Sequence, residues 1–160
     1  MARRILSRRS MMLAASAIPA ATLWPFRPTF ALEPLVREFS KPDGKNNHVV
    51  LYVGAKNCPS CHRYQATKGT RSREEIIGFA SQGLFRYVEV EVFLFTNIGD
   101  RDEWPKEFHW VIPLLTRTNG TPRWLRLDNK NKTLKLNLWG WNNEKRDRLW
   151  DKLILPLTAS

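Results

Sequence analysis

The chain has 160 residues, 42% of them hydrophobic and 26% charged, which excludes a disordered polymer and leaves one ordinary domain once a leader is set aside. A net charge of +11 invites a nucleic-acid role, but residues 1–31 hold five arginines (Arg3, Arg4, Arg8, Arg9, Arg27) and no acid, so only +6 belongs to the rest. The later charges are interspersed, as in Lys145-Arg146-Asp147-Arg148, with no basic run to track a phosphate backbone, and no nucleic-acid partner is expected.

Residues 1–31 read as an export signal. An arginine-rich start leads into an apolar, alanine-rich stretch from Met11 to Trp24, and small residues follow up to a cleavage point after Ala31. Ser7-Arg8-Arg9-Ser10-Met11-Met12-Leu13 resembles the twin-arginine signal, which implies a periplasmic destination; the alternative is a general secretory signal with two adjacent arginines. The apolar run is shorter than the ~20 residues that span a bilayer, and Pro19 interrupts it, so no stable membrane anchor is expected.

Residues 32–47, with Pro34, Pro42 and Gly44, are expected to be a loosely ordered lead-in. His48 to Gly54 is an apolar, β-branched run that predicts a buried strand. It enters Cys58-Pro59-Ser60-Cys61, where proline just after the first cysteine suits the first turn of a helix and puts Cys58 at its N-terminus. Ser72 and Glu75 have capping-box spacing for a second helix, with Ile76, Phe79 and Ala80 on one face. Leu84 to Phe95 reads as a strand. Asp102 to Val111 predicts a helix presenting Trp104, Phe108 and Val111. Trp124 to Asp128 and Leu134 to Leu138 alternate on either side of Asp128-Asn129-Lys130-Asn131 and predict a hairpin. A last helix runs from Asn143 to about Leu155, with Leu149, Trp150, Leu153 and Ile154 facing the core. This order predicts an α/β fold whose central mixed sheet is flanked by helices and ends in a β-hairpin and a helix.

Cys58 and Cys61 are the only cysteines. As a staple they would close so short a loop that the gain is roughly 2 kcal/mol, about half that of a bridge spanning a domain. Thiol exchange uses the placement better, because unpaired N–H groups and the helix dipole at an N-terminus favour a thiolate on Cys58, with Cys61 a turn further in as the resolving thiol. Lys56, His62 and Arg63 act in the same direction. A zinc site wants four ligands, and two Cys with scattered His48, His62 and His109 do not supply them, so no metal is expected. Cys58-Pro59-Ser60-Cys61-His62 also fits the attachment motif of c-type haem, which is the alternative reading. Every Met lies in the leader, leaving His48 or His109 for a second axial position, and the expected sheet does not suit a small helical cytochrome; no cofactor is expected.

The strand into Cys58-Pro59-Ser60-Cys61, then Gly120-Thr121-Pro122 before a strand, then Trp139-Gly140-Trp141 before the last helix, resembles the thioredoxin superfamily over residues 48–156. The resemblance implies a thioredoxin-like fold and a thiol:disulfide oxidoreductase, with protein thiols and a recycling partner as its counterparts. It implies a cis Pro122 facing a Cys58–Cys61 disulfide, Thr121 offering its backbone to a substrate, Pro59 and Ser60 setting the potential, and Trp139, Gly140 and Trp141 completing the docking surface. The chain departs from the family at Asn57, where Trp precedes the first cysteine, and at Tyr52, where an Asp accepts the second cysteine's proton. The length between Cys61 and Pro122 implies an insertion around 95–111, whose Trp104 and Trp110 are either core or a partner-facing rim.

Overall fold

The computed structural model describes residues 35–40, 47–115 and 120–159; the leader and its cleavage point lie outside them. Five strands, β1 (Leu35–Phe39), β2 (His48–Ala55), β3 (Arg86–Val92), β4 (Arg123–Asp128) and β5 (Thr133–Trp139), form one open mixed sheet in the order β1-β3-β2-β4-β5. β2 and β3 are parallel and the other neighbours antiparallel. The unbroken apolar run of β2 suits its place at the centre. Val49, Leu51 and Val53 pack into one half of the core, and Val50 and Tyr52 into the other.

Helices α1 (Pro59–Ala66) and α2 (Arg73–Ser81) form the crossover that a parallel β2–β3 pair requires. Ser72 caps α2, its hydroxyl accepting the Glu75 N–H at 3.4 Å as the spacing predicts. β3 alternates: Val88, Val90 and Val92 enter one core half, while Tyr87 lies in the other with Glu89 buried on the same side. Glu89 is matched there by a bidentate pair from Arg73 at 2.6 and 2.7 Å and by the Tyr87 hydroxyl at 2.8 Å, which in turn meets the Tyr64 hydroxyl at 2.8 Å. The short α3 (Ile112–Leu115) precedes β4, and α4 (Asn143–Leu149) and α5 (Leu155–Thr158) follow β5. Among the described residues no helix is long and apolar enough to cross a membrane.

The structure corrects the sequence reading in four places. Leu35–Phe39 is not a loose lead-in but an edge strand, paired from Leu35↔Glu91 to Phe39↔Tyr87. Its residues are mostly exposed and mixed in polarity, so no apolar stripe announces it. Asp102 to Val111 is not a helix. It is broken into 3-10 turns at Arg101–Glu103 and Lys106–Phe108, after a similar turn at Phe95–Gly99 and before α3 (Ile112–Leu115), because Pro105 lacks an N–H and drives Trp104 into extended backbone at φ −122° and ψ 145°. Trp104, Phe108 and Val111 reach the core all the same, and Trp110 packs half-buried against it. The third strand stops at Val92, leaving Phe93, Leu94 and Phe95 exposed outside the sheet. The final helix is α4 (Asn143–Leu149), a π turn at Trp150–Ile154 and α5 (Leu155–Thr158), with Leu149, Trp150, Leu153 and Ile154 buried as expected.

Candidate active site

Cys58 is the N-cap of α1 and Pro59 its first residue. The cap residue keeps extended backbone (φ −102°, ψ 108°), and its sulfur accepts the Cys61 N–H at 3.1 Å. A donor of this kind stabilises negative charge on Cys58 sulfur once the bond to Cys61 is open. The two cysteines are joined in a disulfide, their Cα atoms 5.2 Å apart. Cys58 is 6% exposed and Cys61 0%, so Cys58 is the one of the pair that reaches the surface.

The turn before the disulfide is fastened to the end of β3. The Lys56 N–H donates to the Val92 carbonyl at 3.1 Å, and the Asn57 Oδ1 accepts the Phe95 N–H at 3.0 Å. Asn57 thereby brings Phe95 to the cleft. That cleft, about 240 Å³, is lined by Asn57, Cys58, Pro59, Ser60, Phe95, Gly120 and Thr121. Pro59, Ser60 and Thr121 thus stand with Cys58, as the resemblance implies.

Pro122 is buried, and its bond to Thr121 is cis. The Pro122 carbonyl accepts the Gly140 N–H at 2.9 Å, and the Gly120 carbonyl accepts from Arg123 Nε at 2.7 Å. Trp139, Gly140 and Trp141 are tied to Pro122 in this way but do not line the cleft. Trp139 and Gly140 border a separate hollow, where Lys145 Nζ lies 4.6 Å from the Trp139 ring centroid. Trp141 turns to Thr67, its indole N–H donating to Oγ1 at 3.2 Å, and packs edge-on to Tyr64.

Sequence reasoning missed Phe95 as a cleft residue, and Arg123. The last carried a signal: Arg123 shares strand parity with the buried Leu125 and Leu127, an unusual place for a cation. Tyr52, which the resemblance sets where a proton-accepting Asp would stand, lies in the core half away from the disulfide. Burial foremost, and the neighbouring Tyr64, push its pKa far above the usual tyrosine value, so the phenol keeps its proton.

The haem alternative draws on the same Cys58, Cys61 and His62. Here the sulfurs are bonded to each other, and His62 Nε2 donates to the Lys56 carbonyl at 2.8 Å. Among the described residues no group of three or more His, Cys, Asp or Glu could hold a metal ion.

Compared with known proteins, the chain matches no family model, no curated protein and no solved structure.

Proposed function

We propose that the chain is an exported thiol:disulfide oxidoreductase with a thioredoxin-like fold, exchanging its Cys58–Cys61 pair with protein partners. The observation that carries this reading is the asymmetry of the pair: Cys58 caps α1 and borders the cleft, while Cys61 donates its N–H to the Cys58 sulfur from a fully buried position. The fold assignment rests on the parallel β2–β3 pair with α1 and α2 between, and on the β4–β5 hairpin, whose open end carries Pro122 and Gly140 side by side.

From the dithiol state, Cys58 thiolate attacks a partner disulfide, and one partner sulfur leaves as thiolate. Cys61, losing its proton to solvent, then attacks Cys58 sulfur; the Cys58–Cys61 bond forms and the second partner sulfur leaves. Two electrons pass to the partner. From the disulfide state the same steps run backwards, and a partner dithiol is oxidised. A second partner restores the starting state in either case.

Cys61→Ser retains attack and loses release, whereas Cys58→Ser loses attack. The first variant is expected to accumulate dithiothreitol-sensitive adducts with exported proteins, and the second to form none. Equal trapping by both, or by neither, overturns the reading. The export route rests on residues 1–31 alone, and replacing Arg8 and Arg9 by Lys is expected to stop delivery while keeping the charge. Unchanged delivery would remove the twin-arginine route.

A further inference from the structure

Phe93, Leu94 and Phe95 are 44%, 37% and 50% exposed, three consecutive apolar side chains beside the disulfide cleft. Contiguous apolar surface at the rim of a cleft marks a contact site. The backbone beneath it is held from several sides. Glu103 accepts the Phe93 N–H and, at 2.6 Å, an amide hydrogen of Asn97, while Asn57 accepts the Phe95 N–H. The side chains are therefore presented before any partner arrives, which lowers the ordering cost of binding.

Two observations say what covers this surface. Phe95 belongs both to the patch and to the cleft over Cys58, so one occupant meets both. No acidic residue lines the cleft, and exposed cations flank it: Lys56, whose Nζ lies 5.5 Å from the Phe93 ring centroid, and Arg63, which donates to Ser60 Oγ at 2.8 Å.

Resting on the exchange reading above, we infer that Phe93, Leu94 and Phe95 dock an extended segment of the partner protein in which the reacting cysteine is flanked by apolar and acidic residues. The aromatic rim takes the apolar side chain, and Lys56 and Arg63 draw the acid. Phe95, pinned by Asn57, supplies aromatic surface beside Cys58 from the end of β3.

The test uses the reduced protein and disulfide-linked peptide dimers. Cys58 attacks one sulfur and frees one peptide thiol; Cys61 then closes the Cys58–Cys61 bond and frees the other. The wild type is expected to favour a Leu-Cys-Glu dimer over a Ser-Cys-Lys dimer by about tenfold in kcat/KM. The variant combining Phe93→Ser and Leu94→Ser, neither of which lines the cleft, should lose the part of that preference that the leucine supplies, while its rate on bis(2-hydroxyethyl) disulfide, which has no side chains to dock, stays within about twofold. Leu155→Ser, an equally exposed apolar residue on α5, should leave the preference intact. No preference in the wild type, or an equal fall on both disulfides, overturns the docking proposal and leaves exchange standing. Failure to react with either disulfide overturns the exchange reading and the docking proposal with it. A dimer in sedimentation that the double Ser variant dissociates would make the patch a self-association face, which also overturns the proposal.

Discussion

Arg123 Nε donates to the Gly120 carbonyl at 2.7 Å from a side chain that is wholly buried. The guanidinium heads β4 on the face that Leu125 and Leu127 share with the disulfide, and it fixes the residue that precedes Thr121 in the cleft wall. Desolvation lowers its pKa from the ordinary arginine value, so the cation is held there at a cost in solvation. Arg123→Met removes that donor, and Arg123→Lys keeps the charge but loses the planar fork. Both are expected to lower the unfolding free energy by about 1–3 kcal/mol in urea titrations. A midpoint unchanged by either substitution would show that the loop is fixed by other means.

Reduction should leave the fold standing. The cysteines are three residues apart, and so short a loop contributes only about 2 kcal/mol through chain entropy. The reduced protein is expected to unfold cooperatively at a urea midpoint only modestly below that of the oxidised form. Loss of the folded state on reduction would mark the bridge as a staple instead.

Tyr52 and Gly54 make an opposed pair. A Cβ at position 54 would stand 2.6 Å from the Tyr52 hydroxyl and 2.8 and 2.9 Å from its ring carbons. The ring cannot retreat, because Tyr64 and Trp124 pack against it at centroid distances of 4.8 and 5.6 Å. Gly54→Ala is therefore expected to cost about 1–3 kcal/mol by overpacking. The hydroxyl itself is buried without a hydrogen-bond partner among the described residues. Tyr52→Phe should thus leave stability unchanged or raise it by up to about 1 kcal/mol, and it should rescue Gly54→Ala only in part, since the ring carbons remain. A clear loss of stability in Tyr52→Phe would mean that the hydroxyl has a partner.

Acid should loosen the edge strand. Arg86 holds Glu38 of β1 through two bonds of 2.7 and 2.8 Å, and it also grips Glu107. The hydrogen bond from Arg86 keeps the Glu38 carboxyl below its ordinary value of 4.5. A carboxyl depressed on folding contributes stability that is complete above its unfolded value and is lost as pH falls through the folded one. Amide protection factors in Leu35–Phe39, relative to those in β4, are expected to fall as pH drops below about 4.5. A constant ratio would place the attachment of β1 in its backbone ladder alone.

These features were legible in the sequence to different degrees, and the difference is one of range. β2, the Cys58 cap and the Ser72 cap depend on neighbours within a turn or two, so a β-branched run, a proline and a capping spacing disclose them. β1 is an edge strand whose partner is 48 residues away in the Glu38–Arg86 pair, and its own residues carry no apolar stripe. The spacing of Trp104, Phe108 and Val111 read correctly as burial and wrongly as a helix, since periodicity registers which side chains go inside and Pro105 decides how the backbone takes them there. At the cleft, Cys58, Pro59, Ser60 and Thr121 were all readable. Phe95 was hidden because the bonds that turn it out of the sheet come from Asn57 and from the Glu103 region, which no local pattern connects to it.

The sheet divides the interior into two compartments of different character. One holds the disulfide with the turn segment and α3; the other holds the tyrosines, Trp124 and the C-terminal helical segments. Helix α1 joins them, with Cys58 and Cys61 in the first and Tyr64 in the second. Separation by a layer of backbone means that substitutions in the two compartments share few contacts and combine almost additively. Under the exchange and docking proposals, selection of a partner acts on residues 93–95, and substitutions there leave the aromatic compartment that supports α1 unchanged. On those proposals, a chimaera that exchanges only that stretch would change selectivity and keep the chemistry of the Cys58–Cys61 pair.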